Sequence, residues 1–409
     1  MIDSRVIREE VPPGYKQTDV GVIPEDWEAI PLCEDISLLS GHHVLARHCN
    51  THGDGVPYLT GPADFPEGHI QQTKFTTHPT TLCHKGDILV TVKGSGSGSL
   101  IEADASYCIS RQLMAIRVKQ WNSKFLYYSL LQNANQIKAA STGLIPGLSR
   151  SDILDQRIPL PPTVIEQRAI AAALSDADGL IGALDALIEK KRAIKQAAMQ
   201  QLLTGKKRLP GFAGEWETKR LGEVASIRNQ KTLPSNVDPD TLCVELEHIG
   251  QGSGRLLEVS TARNSTSSKY RFFNGDVLFG RLRSYLRKFW HADRDGICTT
   301  EIWPLMVDAS QADSGFLYSI VQSDRFVEAA SISYGTHMPR ADWNVMKNFE
   351  VCLPPLPEQR AIATVLSDMD AELAALERRR DKIKQIKQGM MQQLLTGRIR
   401  LVEPPEAAA

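Results

Sequence analysis

The residues of this chain best suited to bind a polyanion lie in a basic segment of its second half. Residues 280–288 read Gly-Arg-Leu-Arg-Ser-Tyr-Leu-Arg-Lys, with four cations, one aromatic ring and no acid. Arginine makes bidentate contacts to phosphate or to a guanine edge, and tyrosine stacks or hydrogen-bonds. The alternative is an ordinary basic hairpin at a solvated sheet edge. We favour DNA contact by Arg281, Arg283, Ser284, Tyr285, Arg287 and Lys288.

A second segment occupies the matching position in the first half of the chain. Residues 93–99 read Lys-Gly-Ser-Gly-Ser-Gly-Ser and directly follow a predicted strand, as the basic segment does. Glycines let backbone N–H groups approach an anion, and serine hydroxyls donate to phosphate, although a flexible loop has the same composition. We predict DNA contacts from Lys93, Ser95 and Ser97. Weaker individual candidates are Arg111, Arg150, Arg263, Lys269, Arg271, His337 and Arg340.

Catalytic motifs are missing from the sequence. None of the four Pro-Pro pairs fits the Asn/Asp-Pro-Pro-aromatic loop expected of an amino-methyltransferase. No GxxxxGK[ST], HExxH or GxSxG motif occurs either. We therefore predict that the chain has no catalytic residues of its own.

A histidine-rich stretch invites a metal hypothesis. His42, His43, His48 and His52 lie close in sequence to Cys49, but their spacing lacks the regularity of a zinc site and no CxxC pair is present. We favour a polar loop with surface histidines and predict no metal.

Composition indicates an ordinary globular protein with more than one domain. The chain has 409 residues, 42% of them apolar and 23% charged, and a net charge of −1. A DNA-binding protein this neutral must concentrate its basic residues on one face. The seven cysteines are scattered and odd in number, which favours reduced thiols in a cytoplasm. No run is apolar enough for a membrane helix and the N-terminus is not signal-like, so we expect no membrane partner.

A long internal repeat organises the chain. Three blocks recur at a constant separation of 192 residues: Glu166–Ala171 at Glu358–Ala363, Leu174–Asp176 at Leu366–Asp368, and Met199–Gly205 at Met391–Gly397. The segments that precede these copies match only at scattered framework positions, which lie 189 residues apart. The repeat therefore predicts a variable domain and a constant helix, followed by a second variable domain and a second constant helix.

The constant segments predict long helices. Apolar residues follow a heptad seam at Ile170, Leu174, Ala177, Ile181, Leu184 and Ile188, and the second copy keeps that register from Ile362. Helix 166–203 would be about 57 Å long at 1.5 Å per residue. We favour antiparallel pairing of the two helices; packing on their own domains or on a partner is the alternative.

The predicted fold class is α+β, with two globular domains separated by two long antiparallel coiled-coil helices in a pseudo-two-fold repeat. We place the first domain at 1–159, the central helix at 160–208, the second domain at 209–352, and the C-terminal helix and tail at 353–409. Gly86–Val92 and Gly275–Phe279 predict a turn into a buried strand, and Phe125–Lys138 and Phe316–Ala329 predict short amphipathic helices.

These residues resemble type I restriction-modification specificity subunits. The resemblance rests on the Leu-Pro-Pro and Glu-Gln-Arg-Ala-Ile motifs that open both helices, the Gln-Gln-Leu-Leu-Thr-Gly motif that closes them, and the opening segment Gly14–Trp27. It implies two target-recognition domains that each read half of a bipartite site in double-stranded DNA, with the helices as a ruler between them.

The resemblance also implies partners and cofactors. Two methyltransferase (modification) subunits would dock on the conserved regions, and restriction subunits would add ATP-driven translocation and cleavage. We assign docking to Glu166, Gln167, Arg168, Glu358, Gln359 and Arg360. S-adenosylmethionine, ATP and Mg are expected on the partner subunits and no cofactor on this chain.

Two alternatives remain open at this point. The chain could be a specificity module with its own methyltransferase or nuclease activity, which the missing motifs argue against. It could also be a helical scaffold that binds proteins only.

Overall fold

The computed structural model describes residues 11–94, 96–140, 147–332 and 339–403. The chain folds as two compact units: a first unit of Met1–Ala183 with Arg379–Ala409, and a second unit of Leu184–Arg378. Each long helix contributes one half to each unit. These two units do not coincide with the four predicted segments, whose boundaries stay a prediction.

The first unit contains the elements up to the middle of the first long helix. Its strands are β1 (Tyr15–Thr18), β2 (Gly21–Pro24), β3 (Glu28–Pro31), β4 (Ile36–Ser40), β5 (Cys49–Asn50), β6 (Val56–Leu59), β7 (Phe75–Thr76), β8 (Leu82–Cys83), β9 (Ile88–Thr91), β10 (Leu100–Glu102), β11 (Tyr107–Ile109), β12 (Leu113–Val118) and β13 (Arg157–Leu160). Its helices are α1 (Ser123–Gln132), α2 (Ala134–Ala140), α3 (Arg150–Leu154) and the start of α4 (Val164–Leu202).

The second unit repeats this plan. Its strands are β14 (Glu217–Arg220), β15 (Ala225–Ile227), β16 (Lys231–Thr232), β17 (Leu242–Val244), β18 (Ser260–Thr261), β19 (Lys269–Phe272), β20 (Val277–Gly280), β21 (Phe289–His291), β22 (Gly296–Thr299), β23 (Ile302–Val307) and β24 (Glu350–Leu353). Its helices are α5 (Leu221–Val224), α6 (Ser314–Gln322), α7 (Asp324–Ser331), α8 (Trp343–Met346) and the start of α9 (Leu356–Leu394).

The two units share one sheet topology. The order β10-β9-β12-β4 in the first unit matches β21-β20-β23-β15 in the second, strand for strand. A second sheet in each unit contains one parallel pair, β6 with β11 and β17 with β22. The weak framework repeat in the sequence therefore reflects a shared fold.

A Gly-Asp turn feeds the central buried strand of each unit, as predicted. All four residues of β9, and likewise of β20, are buried. Asp87 accepts from the His84 amide at 2.8 Å, and Asp276 accepts from the Phe273 amide at 2.9 Å. Each carboxylate closes its turn, which explains why the Gly-Asp pair recurs.

The predicted helices after the sheets are each broken in two. α1 and α6 begin at caps, where Asn122 accepts from the Phe125 amide and Asp313 from the Phe316 amide. α1 ends at Asn133, and Ser323 both ends α6 and caps α7. The single helices predicted over 125–138 and 316–329 were therefore wrong, because polar residues that compete for backbone bonds interrupt the apolar periodicity.

The long helices have the predicted seam. Ile170, Leu174, Leu184 and Ile188 of α4 are at most 5% exposed, and Ile362, Leu366 and Leu373 of α9 at most 9%. Ion pairs show the direction of the helices within the second unit. In the second unit Lys191 pairs with Glu372 and Lys195 with Asp370, so the partner position falls as the α4 position rises. The two helical segments therefore run antiparallel within that unit.

The α+β fold class with long antiparallel spacer helices is confirmed. Each unit has its own apolar core, and each core includes residues from both long helices. Within the described ranges, no helix is both long enough and apolar enough to cross a membrane.

Candidate nucleic-acid interface

The two candidate DNA loops lie at equivalent positions and are closed by equivalent backbone bonds. We call residues 93–99 the first loop and residues 281–288 the second loop. The Thr91 amide donates to the Ser99 carbonyl at 2.9 Å, and the Gly280 amide donates to the Lys288 carbonyl at 2.8 Å. These bonds join positions that match at the framework offset of 189 residues. The sequence correctly placed the loops at equivalent sites.

Each loop uses the left-handed backbone region twice, at equivalent positions. The first loop has Gly94 at φ 90° and Gly98 at φ 85°, whereas the second has Arg283 and Arg287, both at φ 51°. A left-handed arginine costs about 1 kcal/mol relative to glycine, because its Cβ crowds the following carbonyl. The second loop therefore carries strain that the first avoids.

The candidates of the first unit divide by exposure. Lys93 and Arg111 are exposed and form no side-chain bond to a described residue. Arg150 is exposed and donates to the Ser40 hydroxyl at 2.9 Å. Ser97 is 7% exposed and its hydroxyl oxygen is buried without a hydrogen-bond partner among the described residues, so this side chain is not available to DNA in this structure. Ser95 lies outside the described residues.

The second loop presents two side chains outward. Arg283 is exposed, and Tyr285 is 53% exposed. Arg281 is half-buried, and its guanidinium lies 5.6 Å from the centre of the Trp303 ring. These three residues keep surfaces that a ligand can reach.

The other cations of the second loop are used inside the chain. Arg287 pairs with Asp324 and donates to the Gln322 carbonyl at 3.3 Å. Lys288 donates to the Leu246 carbonyl at 2.6 Å. The predicted DNA contacts by Arg287 and Lys288 therefore compete with existing bonds.

Two predicted contacts of the second unit are buried and need correction, as Ser97 does in the first unit. Lys269 is 2% exposed and pairs with Glu245 at 2.6 Å, because it faces inward on β19. Ser284 is 3% exposed and its hydroxyl donates to the Arg281 carbonyl at 3.2 Å. Neither side chain is available to DNA in this structure. Sequence alone does not reveal which face of a short strand or turn points inward.

The remaining arginines differ in whether their side chains are bonded within the chain. Arg271 is half-buried and forms no side-chain bond to a described residue. Arg340 is bonded to Glu301 at 3.0 Å, which raises the pKa of its guanidinium. Arg263 is likewise bonded to Asp240 at 2.9 Å. His337 lies outside the described residues.

The two glutamates predicted to dock partners instead form ion pairs within the chain, which we call the glutamate clamps. Glu166 is 1% exposed and pairs with Arg400, which follows α9. Glu358 is 0% exposed and pairs with Arg208, which follows α4. The paired carboxylate of Glu358 raises the pKa of the Arg208 guanidinium. The start of each long helix is thus bound to the segment that follows the other helix.

The neighbouring glutamines tie these helix starts to the globular domains. Gln167 Oε1 accepts from the Asn122 amide at 2.9 Å, and Gln359 Oε1 accepts from the Asp313 amide at 2.9 Å. Asn122 and Asp313 are the caps of α1 and α6. The glutamines therefore hold each long helix against the helix that packs on its sheet.

Of the six residues predicted to dock partners, the two arginines are the exposed ones. Glu166, Gln167, Glu358 and Gln359 are buried and bonded within the chain, so they are not free to meet a partner. Arg168 and Arg360 are exposed at equivalent positions. Their docking role stays a prediction.

Sequence reasoning missed the cations that complete these contacts. Arg208 and Arg400 are 192 residues apart, as are Lys195 and Lys387. Lys387 pairs with Asp178 at 2.6 Å in the first unit, as Lys195 pairs with Asp370 in the second. The signal was present, because all of these pairs recur at the offset of the helix repeat.

The histidine-rich stretch forms local polar contacts. The rings of His48 and His78 lie 3.9 Å apart, and His42 bonds to Thr81 at 2.8 Å. In the part of the chain that the structure describes, no three His, Cys, Asp or Glu side chains are grouped to hold a metal ion.

Comparison with known proteins identifies relatives along most of the chain. The family model for the type I restriction modification DNA specificity domain matches twice, over residues 24–192 and 213–388. The MjaVIII specificity subunit of Methanocaldococcus jannaschii is 25% identical over 404 residues, covering 93% of this chain and 94% of that protein. The EcoDI specificity subunit of Escherichia coli is 24% identical over 393 residues, covering 88% and 84%.

Solved structures share the fold. The S subunit of a type I restriction-modification system from M. genitalium matches with a TM-score of 0.62 at 18% identity, over 90% of this chain and 96% of that chain. A chain from a study of assembly and conformational transition of the type I R-M system matches with a TM-score of 0.52 at 18% identity, over 92% and 99%. Because the family model covers most of both halves of the sequence, the chain belongs to the type I restriction-modification DNA specificity family.

Proposed function

We propose that this specificity subunit reads a bipartite site in double-stranded DNA, with one half-site assigned to each unit. The observation that carries the proposal is the equivalent loop in both units, closed by an equivalent backbone bond and built from different side chains. Equivalent loops imply the same task, and different side chains imply different half-sites. The two half-sites should therefore be unlike in sequence.

In the first unit, the proposed contact surface centres on Lys93 and Arg111. Both are exposed cations without a bond to a described residue, so a phosphate can be bound without breaking an internal pair. The glycines of the first loop allow close backbone approach to the DNA. Because three of its seven residues are glycines, the first loop offers few side chains to this half-site.

In the second unit, the proposed contact surface centres on Arg283 and Tyr285. Both are exposed and lie in one turn of the second loop. An arginine and an aromatic ring together supply a charged fork and a stacking or hydrogen-bonding group.

The long helices are proposed to set the distance between the half-sites and to bind partners. Two methyltransferase (modification) subunits would dock on the conserved helical regions, with Arg168 and Arg360 as exposed contacts, and restriction/translocase subunits would join that complex. A helix fixes distance well because its rise per residue is constant. The pseudo-two-fold repeat accounts for two equivalent docking positions.

Catalysis is assigned to the partners. S-adenosylmethionine, ATP and Mg would be bound by the modification and restriction subunits, and this chain would act in the cytoplasm without a catalytic role. The missing methyltransferase and nucleotide-binding motifs support this division.

Methylation mapping tests the proposal. A host genome is mapped with and without this chain, in the presence of its modification partners. We expect methylated adenines at one bipartite site with unlike halves, and only when this chain is present. Methyl transfer to DNA by the purified chain alone would contradict the assignment of catalysis.

Loop variants then test which unit reads which half. Lys93→Ala with Arg111→Ala should weaken binding of the partner complex through the first half-site, and Arg283→Ala with Tyr285→Ala through the second. Arg294→Ala is the matched control, because Arg294 is an exposed arginine of the second unit paired with Asp293. Wild-type affinity should also fall with salt, since phosphate contacts release counterions.

A further inference from the structure

The two left-handed positions of the second loop have no need of arginine. The equivalent positions of the first loop hold Gly94 and Gly98, which adopt positive φ without strain. Arg283 and Arg287 are the non-glycine residues with positive φ among those that the structure describes. Since glycine would form the same turn at lower cost, each arginine requires a reason outside the backbone.

The reason for Arg287 is internal. Its guanidinium pairs with Asp324 and bonds to the Gln322 carbonyl, so it holds the loop against the turn between α6 and α7. Asp324 also accepts from Gln196 of α4, which connects the loop to the long helix within the same unit. The strain at Arg287 is offset by these bonds.

Among the described residues, no internal side-chain contact accounts for Arg283. Its amide donates to the Pro339 carbonyl at 2.8 Å, and its carbonyl accepts from the Leu286 amide at 2.8 Å. The backbone is therefore fixed on both sides, while the exposed guanidinium bonds to no described residue. A fixed backbone that carries a charged group without an internal bond is suited to recognise a ligand.

We propose that Arg283 is a specificity-determining residue of the second half-site, where its guanidinium reads the O6 and N7 atoms of a guanine in the major groove. This inference rests on the proposed DNA-reading function. Gly94 occupies the equivalent position of the first loop, so the first half-site is not read by a side chain from that position.

A base contact accounts for an arginine at this position better than a phosphate contact does. Arginine binds phosphate oxygens as a fork too, but lysine, serine and backbone amides also contact phosphates, so such a contact gives no reason to keep arginine at a left-handed position. The O6 and N7 acceptors of guanine are matched by a side chain with two donors, and arginine is the common side chain that supplies them. Of the four cations in the second loop, Arg287 and Lys288 are bonded inside the chain and Arg281 is half-buried beside Trp303.

The test uses the complex of the full chain with its modification partners. Once methylation mapping has given the site, the probes are duplexes with that site and duplexes with one base pair of either half-site changed. Wild-type complex should discriminate against loss of one guanine in the second half-site by roughly 10-fold to 100-fold. Arg283→Gly should remove that discrimination and leave preference at the first half-site unchanged.

Two further variants distinguish the mode of contact. Arg283→Lys keeps the charge and loses the fork, so discrimination at the same guanine should also be lost. Arg294→Ala removes another exposed arginine of this unit and should bind as wild type does. Arg283→Gly should unfold at no lower temperature than wild type, because it relieves strain, and this result separates lost reading from lost folding.

Several results would overturn the inference. Arg283→Gly could keep the wild-type preference at every base pair. Alternatively, it could weaken all duplexes equally while Arg283→Lys restores binding, which would identify a phosphate contact. A wild-type complex without any sequence preference would instead overturn the proposed function itself.

Discussion

The first and second units solve one structural problem with different side chains. Their sheets have the same strand order, their central strands begin at the same Gly-Asp turn, and their candidate DNA loops are closed by equivalent backbone bonds. The first loop consists mainly of glycine and serine, whereas the second loop has three arginines. Backbone bonds therefore preserve the frame, and the side chains on that frame are free to differ.

The arginine partners of the turn carboxylates differ in the same way. Asp87 is bonded by Arg117 of β12, whereas Asp276 is bonded by Arg228, which follows β15. Both pairs are bidentate and both carboxylates are at most 5% exposed. The need for a buried carboxylate to be paired is common to both units, but the strand that supplies the cation is not.

The largest expected difference between the units concerns their equivalent tryptophans. Trp27 is 0% exposed, whereas Trp216 is only half-buried. Trp27→Ala should lower the free energy of unfolding of the first unit by about 3–5 kcal/mol, and Trp216→Ala should cost the second unit less, because it removes less buried surface. Urea unfolding, monitored by amide hydrogen exchange in each unit, measures the loss of unfolding free energy in both variants.

Trp27→Phe is the control for this pair. It keeps an aromatic ring in the core and should recover part of the loss. Equal losses for the two alanine variants would show that exposure does not separate the two sites.

A smaller difference is expected at the two glutamate clamps. Arg400 binds both Glu166 and Asp26, the latter at 3.0 Å, whereas Arg208 binds Glu358 and the Gly214 carbonyl. Glu358→Gln should lower the free energy of unfolding by about 2 kcal/mol, because it removes charge-assisted bonds of a buried carboxylate. Glu166→Gln should cost roughly half as much, since Arg400 keeps Asp26.

Asp26→Asn combined with Glu166→Gln sharpens this comparison. The double variant should lose at least as much stability as Glu358→Gln, measured by the urea midpoint. If the single Glu166→Gln variant is already the more destabilised, the role given to Asp26 is wrong.

The smallest expected difference is a pH response at a position that holds a histidine only in the second unit. Burial lowers the pKa of His291 below its ordinary value of 6.5, and its ring bonds to Ser314 at 3.1 Å. The unfolded chain therefore binds a proton before the folded chain does, so stability should fall as the pH drops below 6.5 through the folded pKa. The equivalent position in the first unit is Glu102, which pairs with Lys124.

His291→Gln is the variant that measures this response. Glutamine can still bond to Ser314 but does not titrate, so its urea midpoint should change less than that of wild type between about pH 7.5 and about pH 5.5. Identical changes in the two proteins would exclude a contribution from His291.

The sequence by itself determined the repeat, the long helices and the location of the loops. Periodicity is local information, so the seam from Ile170 to Ile188 predicts a buried helix face without any knowledge of the fold. The 189-residue framework offset correctly paired the first loop with the second. The helix break at Ser323 was missed because a short polar side chain caps α7 within a pattern that remains apolar on both sides. The break at Asn133 was missed for the related reason that the apolar pattern continues past the end of α1.

Only the tertiary structure decided which polar side chains are available. Lys269 and Ser284 look like surface residues in the sequence, yet both are buried, while Arg287 and Lys288 are bonded to distant carbonyls or carboxylates. The Glu-Gln pairs of the conserved motif look like docking residues and are internal clamps. A side chain's partners can come from segments hundreds of residues away, and no local sequence pattern shows whether those partners lie within bonding distance. For that reason the sequence placed Arg283 among six candidates of the second loop, and the fold left it exposed and without a side-chain bond to a described residue.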